Sequence, residues 1–230
     1  MSNRVSHSLL DPFIIPLVKP MYRAMRIPKR FPPEGIIAVG HVLAIFGALG
    51  FAYAAEYAWA GFVAAAGVLG NHIADMVDGT HARETGQCRN GGELLDHFTD
   101  PLSFSYWMIG LGAGAGRLDL ALVAVIGIYA TAVLTNIRAK ITGEFLLRRI
   151  GPTEFKALLI ACGLERGISS SLGAPAEQTT ATAYWMLLVL AAALALQLVV
   201  SLITGVRAVN RSGAEPDTSE WVTPGSDDAG

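Results

Sequence analysis

Long apolar runs alternate with short charged segments along this chain of 230 residues. A helix needs about 20 mostly apolar residues to cross the hydrocarbon core of a bilayer, where only helices and closed barrels satisfy their own backbone groups. Six stretches qualify: Gly35 to Ala55, Tyr57 to about Arg83, about Gly92 to Gly114, Leu118 to about Ile141, about Thr153 to Leu172, and Ala181 to Val206. The second turns polar at its end and the third is polar at its start. The fifth is the weakest, because it carries Lys156, Glu165 and Arg166. The fold class expected is all-α, a polytopic membrane protein of about six transmembrane helices.

Composition agrees. Hydrophobic residues make up 52% and charged residues 16%, against about 25% charged in an average soluble domain. That excludes an ordinary soluble enzyme and a disordered chain. A net charge of -2 gives no case for nucleic-acid binding. Cys88 and Cys162 are too few for a disulfide framework.

Residues 1–34 read as an interfacial segment. Their apolar stretch, Leu9 to Val18, is short and interrupted by Pro12 and Pro16, so it resembles neither a cleavable leader nor a span. Its apolar residues mix with Lys19, Arg23, Arg26, Lys29 and Arg30, which suits a helix lying in the headgroup plane with its cations on anionic lipid. Residues 35–209 form the membrane domain. Residues 210–230, rich in Ser, Gly, Pro, Asp and Glu, read as a disordered polar tail. With six spans, every Lys and Arg except Arg117 and Arg166 falls on one side. By the positive-inside rule that side is cytoplasmic and holds both termini, in a cell inner membrane. Gly110, Gly112, Gly114 and Gly116 form overlapping small-xxx-small pairs, suited equally to a homodimer contact or to packing within the chain.

Four aspartates fall where a membrane helix tolerates them least: Asp75, Asp78, Asp96 and Asp100. Each would cost about 2.5–3.5 kcal/mol at mid-bilayer on insertion scales, so something must neutralise them. Asp75 and Asp78 are three apart and share a helix face; Ala82 continues it. Gly92, Asp96 and Asp100 repeat every four and form a face on the next helix. The connection, roughly Glu84 to Gly91, is short, so the two helices are antiparallel neighbours whose acidic ends meet near the cytoplasmic side. Clustered oxygen ligands without Cys suit Mg2+, Mn2+ or Ca2+, and two divalent ions would balance four carboxylates. Gly79, Ala82 and Gly92 remove side-chain bulk, so a ligand can approach closely, and Arg83 offers a forked cation for phosphate.

Residues 75–100, DMVDGTHARETGQCRNGGELLDHFTD, resemble the signature of the CDP-alcohol phosphotransferase family, D-x2-D-G-x2-A-R-x8-G-x3-D-x3-D, at every fixed position: Asp75, Asp78, Gly79, Ala82, Arg83, Gly92, Asp96 and Asp100. The resemblance implies transfer of a substituted phosphate from a CDP-linked alcohol donor to an acceptor hydroxyl, with release of CMP, in phospholipid biosynthesis. It implies that Asp75, Asp78 and Asp96 bind Mg2+ or Mn2+, with Asp100 near them and acting as general base. Gly79, Ala82, Arg83 and Gly92 would line the CDP pocket. The donor is expected to be CDP-diacylglycerol, although the Asp96-His97 pair is similar to the branch that joins CDP-choline or CDP-ethanolamine to diacylglycerol.

An aspartate-rich prenyltransferase also binds metal-diphosphate through paired carboxylates, but the Gly-x2-Ala-Arg insert and the small number of helices argue against it. A divalent-cation transporter would use intramembrane acids, but its acids would recur in both halves. The other polar residues stay open. His72, His81 and His97 flank the motif. Glu93 reads as solvated at a helix start, and Asn71 sits one turn before Asp75. Asn136, Arg138, Lys140, Arg148, Arg149 and Lys156 could hold a phosphate-bearing acceptor or simply express the charge bias. Thr153 is expected to cap the fifth helix.

Overall fold

The structure, a computed structural model, describes residues 3–6, 8–147, 151–213, 215, 216, 218 and 219. Arg148 and Arg149, and most of the tail expected at 210–230, lie outside the described residues. Among those described, seven helices run in order: α1 (Asp11–Met25), α2 (Pro33–Tyr53), α3 (Ala58–Thr85), α4 (Asn90–Gly114), α5 (Leu118–Thr142), α6 (Pro152–Ser171) and α7 (Ala176–Arg211). The all-α expectation holds. A short parallel ribbon adds to it, with β1 (Asn3–Ser6) paired to β2 (Glu144–Leu147) and Asn3 opposite Glu144. Helix α7 extends past the expected end of the membrane domain to Arg211.

Local chemistry sets the boundaries. Pro33 and Pro152 occupy the first positions of α2 and α6, where a missing N–H costs nothing. Gly86 ends α3 at φ 71°, a left-handed conformation that favours glycine, and its N–H donates to the Ala82 carbonyl. Thr153 does not cap α6. The helix already starts at Pro152, and the Thr153 hydroxyl donates to Asp11 Oδ1 at 2.8 Å. Glu154 takes the orphan donors instead. One of its oxygens accepts from the Gly151 N–H at 2.8 Å, the other from Ser8 Oγ at 2.6 Å and the Leu9 N–H at 2.7 Å. These bonds tie the start of α1 to the start of α6.

Six long helices form one bundle. Helices α2, α4 and α6 run one way and α3, α5 and α7 the other. Helix α3 is the spine, and small residues let its neighbours reach its backbone. A Cβ at Gly67 would collide with the backbone of Gly47 on α2, and a Cβ at Gly163 of α6 would lie 2.7 Å from the Ala65 nitrogen. In lipid there is little hydrophobic force between helices, so this close van der Waals contact carries the association. Helix α4 lies along α2 in the same way. A Cβ at Gly110 would strike the Ala48 carbonyl, and Trp107 Nε1 donates to the Ala44 carbonyl at 3.0 Å. Gly112 packs on Ala121 and Gly114 on the end of α2, so Gly110, Gly112 and Gly114 serve contacts within the chain, whereas a Cβ at Gly116 would meet nothing within 4 Å among the described residues. Phe51, Trp107, Met108, Leu111, Leu159 and Leu187 are fully buried, whereas Phe46, Leu122, Ile126 and Leu196 point outward.

Helices α2, α3, α5 and α7 are long and apolar enough to cross a membrane; α4 and α6 have the length but not the composition. Helix α1 lies against the end of α3. Its outer face exposes Phe13 and Leu17, and Lys19 and Arg23 share the segment.

Candidate functional site

The α3–α4 pair carries all four aspartates to one end of the bundle. Asp75 and Asp78 lie in the second half of α3, Asp96 and Asp100 in the first half of α4. All four line one cleft, together with Gly40 and His41 of α2, Asn71 of α3, and Thr99 and Ser103 of α4. Asp75, Asp96 and Asp100 each bring a carboxylate oxygen to within 4.8 Å of the others. Asp78 is the most buried of the set, and one of its oxygens accepts the Gly79 N–H.

The glycines bordering the aspartates leave open space. A Cβ at Gly92 would meet only Glu34 Oε1, at 3.7 Å, and one at Gly79 only the Arg83 guanidinium, at 3.2 Å. Arg83 is exposed and leans on Thr80 Oγ1 at 3.4 Å. Ala82 is half-buried. These four residues sit at the rim, between the cleft and the α3–α4 turn, and do not line the cleft itself. Glu34 is held beside them by Arg89 at 3.2 Å.

The floor is polar. Asn71 is 6% exposed; its amide nitrogen donates to the Gly40 carbonyl at 3.2 Å and to Ser103 Oγ at 3.4 Å. Ser103 Oγ also lies 3.4 Å from His41 Nδ1. Asn71 Oδ1 is buried without a hydrogen-bond partner. This orphaned acceptor is available to a ligand carrying donors, and an unsatisfied buried polar atom costs about 1–3 kcal/mol. The donor set is all oxygen, as hard divalent cations require, so the residues fit Mg2+ or Mn2+.

Lys156 is the residue that the sequence left undecided and the structure brings in. It arrives from α6, is completely buried, and its Nζ stands 2.7 Å from Asp75 Oδ2 and 3.8 Å from Asp100 Oδ1. One available signal was a single cation inside the apolar turn that follows Glu154. His41, Thr99 and Ser103 carried no spacing signal.

The histidines separate by role. His81 is fully buried, with Nε2 2.8 Å from the Phe31 carbonyl and Nδ1 2.9 Å from Tyr22 Oη. The carbonyl can only accept, so Nε2 carries the proton and Nδ1 accepts from the tyrosine. His81 therefore ties α1 to α3. His97 lies 3.9 Å from Glu93, one turn away on α4, and neither lines the cleft. The His72 ring nitrogens are buried without hydrogen-bond partners, one turn before Asp75. Arg138 and Lys140 stand at the end of α5 on the same side of the bundle as the aspartates.

The CDP-alcohol phosphatidyltransferase family model matches residues 36–210, most of the chain. A phosphatidylinositol phosphate synthase of Mycolicibacterium smegmatis is 28% identical over 196 residues, covering 82% of this chain and 86% of that protein. The matched region spans α2 to α7 and includes every aspartate of the cleft. The chain belongs to the CDP-alcohol phosphatidyltransferase family, membrane transferases of phospholipid biosynthesis that move a substituted phosphate from a CDP-alcohol to an acceptor hydroxyl.

Proposed function

We propose that this chain transfers the phosphatidyl group of CDP-diacylglycerol to a small alcohol and releases CMP. The observation that carries the reading is the meeting of Asp75, Asp78, Asp96 and Asp100 in one cleft between α2, α3 and α4. Divalent ions held by those four would neutralise the diphosphate and stabilise the departing CMP. Asp100 accepts the proton of the acceptor hydroxyl as its oxygen attacks the β-phosphorus and the bond to CMP breaks. The open rim at Gly79, Ala82 and Gly92 admits the cytidine nucleotide, with Arg83 beside its phosphates. Arg138 and Lys140, on the same side, suit an acceptor that itself bears a phosphate, and the name of the Mycolicibacterium smegmatis relative favours such an acceptor. His97 pairs with Glu93 and does not line the cleft.

We read all six long helices as spans. Helices α4 and α6 lie alongside α2 and α3 along their length, so they cross the same slab, and Lys156 of α6 meets Asp75 and Asp100 inside the bundle. The end carrying the aspartates and most of the cations is cytoplasmic, and α1 lies in the headgroup plane with Phe13 and Leu17 toward the acyl chains. A diacylglycerol-bearing donor then enters from the membrane while CMP leaves to water.

The test supplies purified protein in lipid nanodiscs with Mg2+ or Mn2+ and either labelled CDP-diacylglycerol or CDP-choline plus diacylglycerol. The acceptors are glycerol phosphate, inositol phosphate, inositol and serine. CMP release with a phosphatidyl product from CDP-diacylglycerol and an alcohol phosphate is expected. Turnover confined to CDP-choline would overturn the donor assignment.

A further inference from the structure

Lys156 is a buried cation set among acids. Its Nζ contacts Asp75 at 2.7 Å and approaches Asp100 at 3.8 Å, two of the three residues whose oxygens converge to within 4.8 Å. The side chain has no exposure, and the Phe104 ring lies 5.5 Å from its nitrogen. A lysine so enclosed is built in. A divalent ion of the Mg2+ type demands its ligand oxygens at about 2.0–2.1 Å. An ammonium already hydrogen-bonded to one of those oxygens competes for its lone pairs and repels the ion.

Charge arithmetic gives the lysine a purpose. Four carboxylates and one ammonium leave three net negative charges in the cleft. Two divalent ions would turn that into one net positive charge, which suits an incoming diphosphate. Without ions, the carboxylates repel one another across a partly desolvated cleft, and Lys156 is the group placed to offset that.

We propose that Lys156 is a resident counter-cation that exchanges with the divalent ion: it holds Asp75 and Asp100 together in the metal-free protein and yields their oxygens when the ion binds. The lysine thereby stabilises the empty site and weakens metal affinity below what the carboxylates alone would give. This rests on the reading of the aspartates as the metal site.

The test compares wild type with Lys156→Gln, Lys156→Met and Lys156→Arg in detergent, by electron paramagnetic resonance titration with Mn2+ and by thermal unfolding in EDTA and in Mn2+. The neutral variants are expected to bind Mn2+ on the order of tenfold more tightly, to unfold at lower temperature in EDTA, and to show a larger Mn2+-induced rise than wild type. Lys156→Arg keeps the charge and holds close to the wild-type affinity. Neutral variants whose Mn2+ affinity is unchanged or weaker, beside a wild type that binds, overturn the exchange alone. So do neutral variants that stay unfolded at saturating Mn2+, because the ion should replace the lost charge. A wild type that binds no Mn2+ sinks both this inference and the metal-site reading beneath it.

Discussion

Replacing Gly61 by alanine adds one methyl group where α3 and α6 touch backbone to backbone. The new Cβ would lie 2.7 Å from Gly167 Cα and 2.8 Å from the Gly163 carbonyl oxygen, with the Gly167 nitrogen nearer still. Carbon contacts relax only at about 3.5 Å or beyond, so the helices must part by at least about 0.8 Å, and by more to clear the Gly167 nitrogen. Overpacking of this kind costs about 1–3 kcal/mol, and a chain of this size loses about 2–4 °C of melting temperature per kcal/mol. Asp75 lies about 21 Å along α3 from Gly61, so the separation reaches its 2.7 Å bond to Lys156 of α6 to the extent that the two helices move as rigid rods. A misplacement near 1 Å can lower turnover by about 10²-fold. Gly127→Ala is the matched control: its Cβ would meet Leu194 Cβ at 3.5 Å, an ordinary contact, and its effect should stay within about 0.5 kcal/mol. Fluorescence-monitored unfolding at one fixed heating rate, with CMP release measured well below both transitions, reads the two together. Gly61→Ala should melt several degrees lower and turn over at least tenfold more slowly than Gly127→Ala. Equal melting and equal turnover for the pair would refute the claim that backbone contact between α3 and α6 sets the geometry of the site.

Asp100→Asn should lower turnover by about 10²-fold or more while nucleotide binding in Mn2+ stays near wild type; turnover near wild type in the CMP assay contradicts Asp100 as base. Asp75→Ala should abolish metal-dependent CDP-alcohol binding and also remove the 2.7 Å bond of the buried Lys156, leaving it Asp100 at 3.8 Å, so the melting temperature should fall. Calorimetric titration reads the first effect and thermal unfolding the second. His81→Ala removes two hydrogen bonds of about 0.5–1.5 kcal/mol each and loosens the end of α1, so trypsin should cut after Arg23 and Arg26 faster than in wild type, at unchanged CDP-alcohol affinity. EDTA should silence the enzyme, and Mg2+ or Mn2+ should restore it; activity that survives exhaustive chelation would remove the metal from the mechanism.

The six long helices were legible because each apolar run is punctuated by residues that end helices for a local reason. Gly86 and Pro152 act within one or two positions of the boundaries they set. The meeting of the aspartates was legible for a similar reason: three- and four-residue spacings across one short turn leave two neighbouring helices few other ways to arrange their acids. Lys156 was not legible, because its role depends on α6 packing antiparallel on α3, a contact between residues 81 apart in sequence. His41, Ser103 and the true partner of Thr153 depend on equally distant contacts and left no periodic trace.

The shortfall of α4 and α6 as apolar spans has the same origin as the site. Hydropathy charges each Asp and Lys the cost of standing alone in hydrocarbon. In the fold Asp75 and Lys156 stand 2.7 Å apart, Asp100 is 3.8 Å from the same ammonium, and Arg166 donates to the Phe51 carbonyl at 3.0 Å at the opposite end of α6. The cost that composition assigns to Asp100 and Lys156 is offset between helices rather than within them, whereas Arg166 Nε and Nη2 stay buried without hydrogen-bond partners among the described residues. If α4 and α6 are spans, each is stable in the membrane only beside its partners, and their insertion is expected to be coupled to assembly of the aspartate cleft.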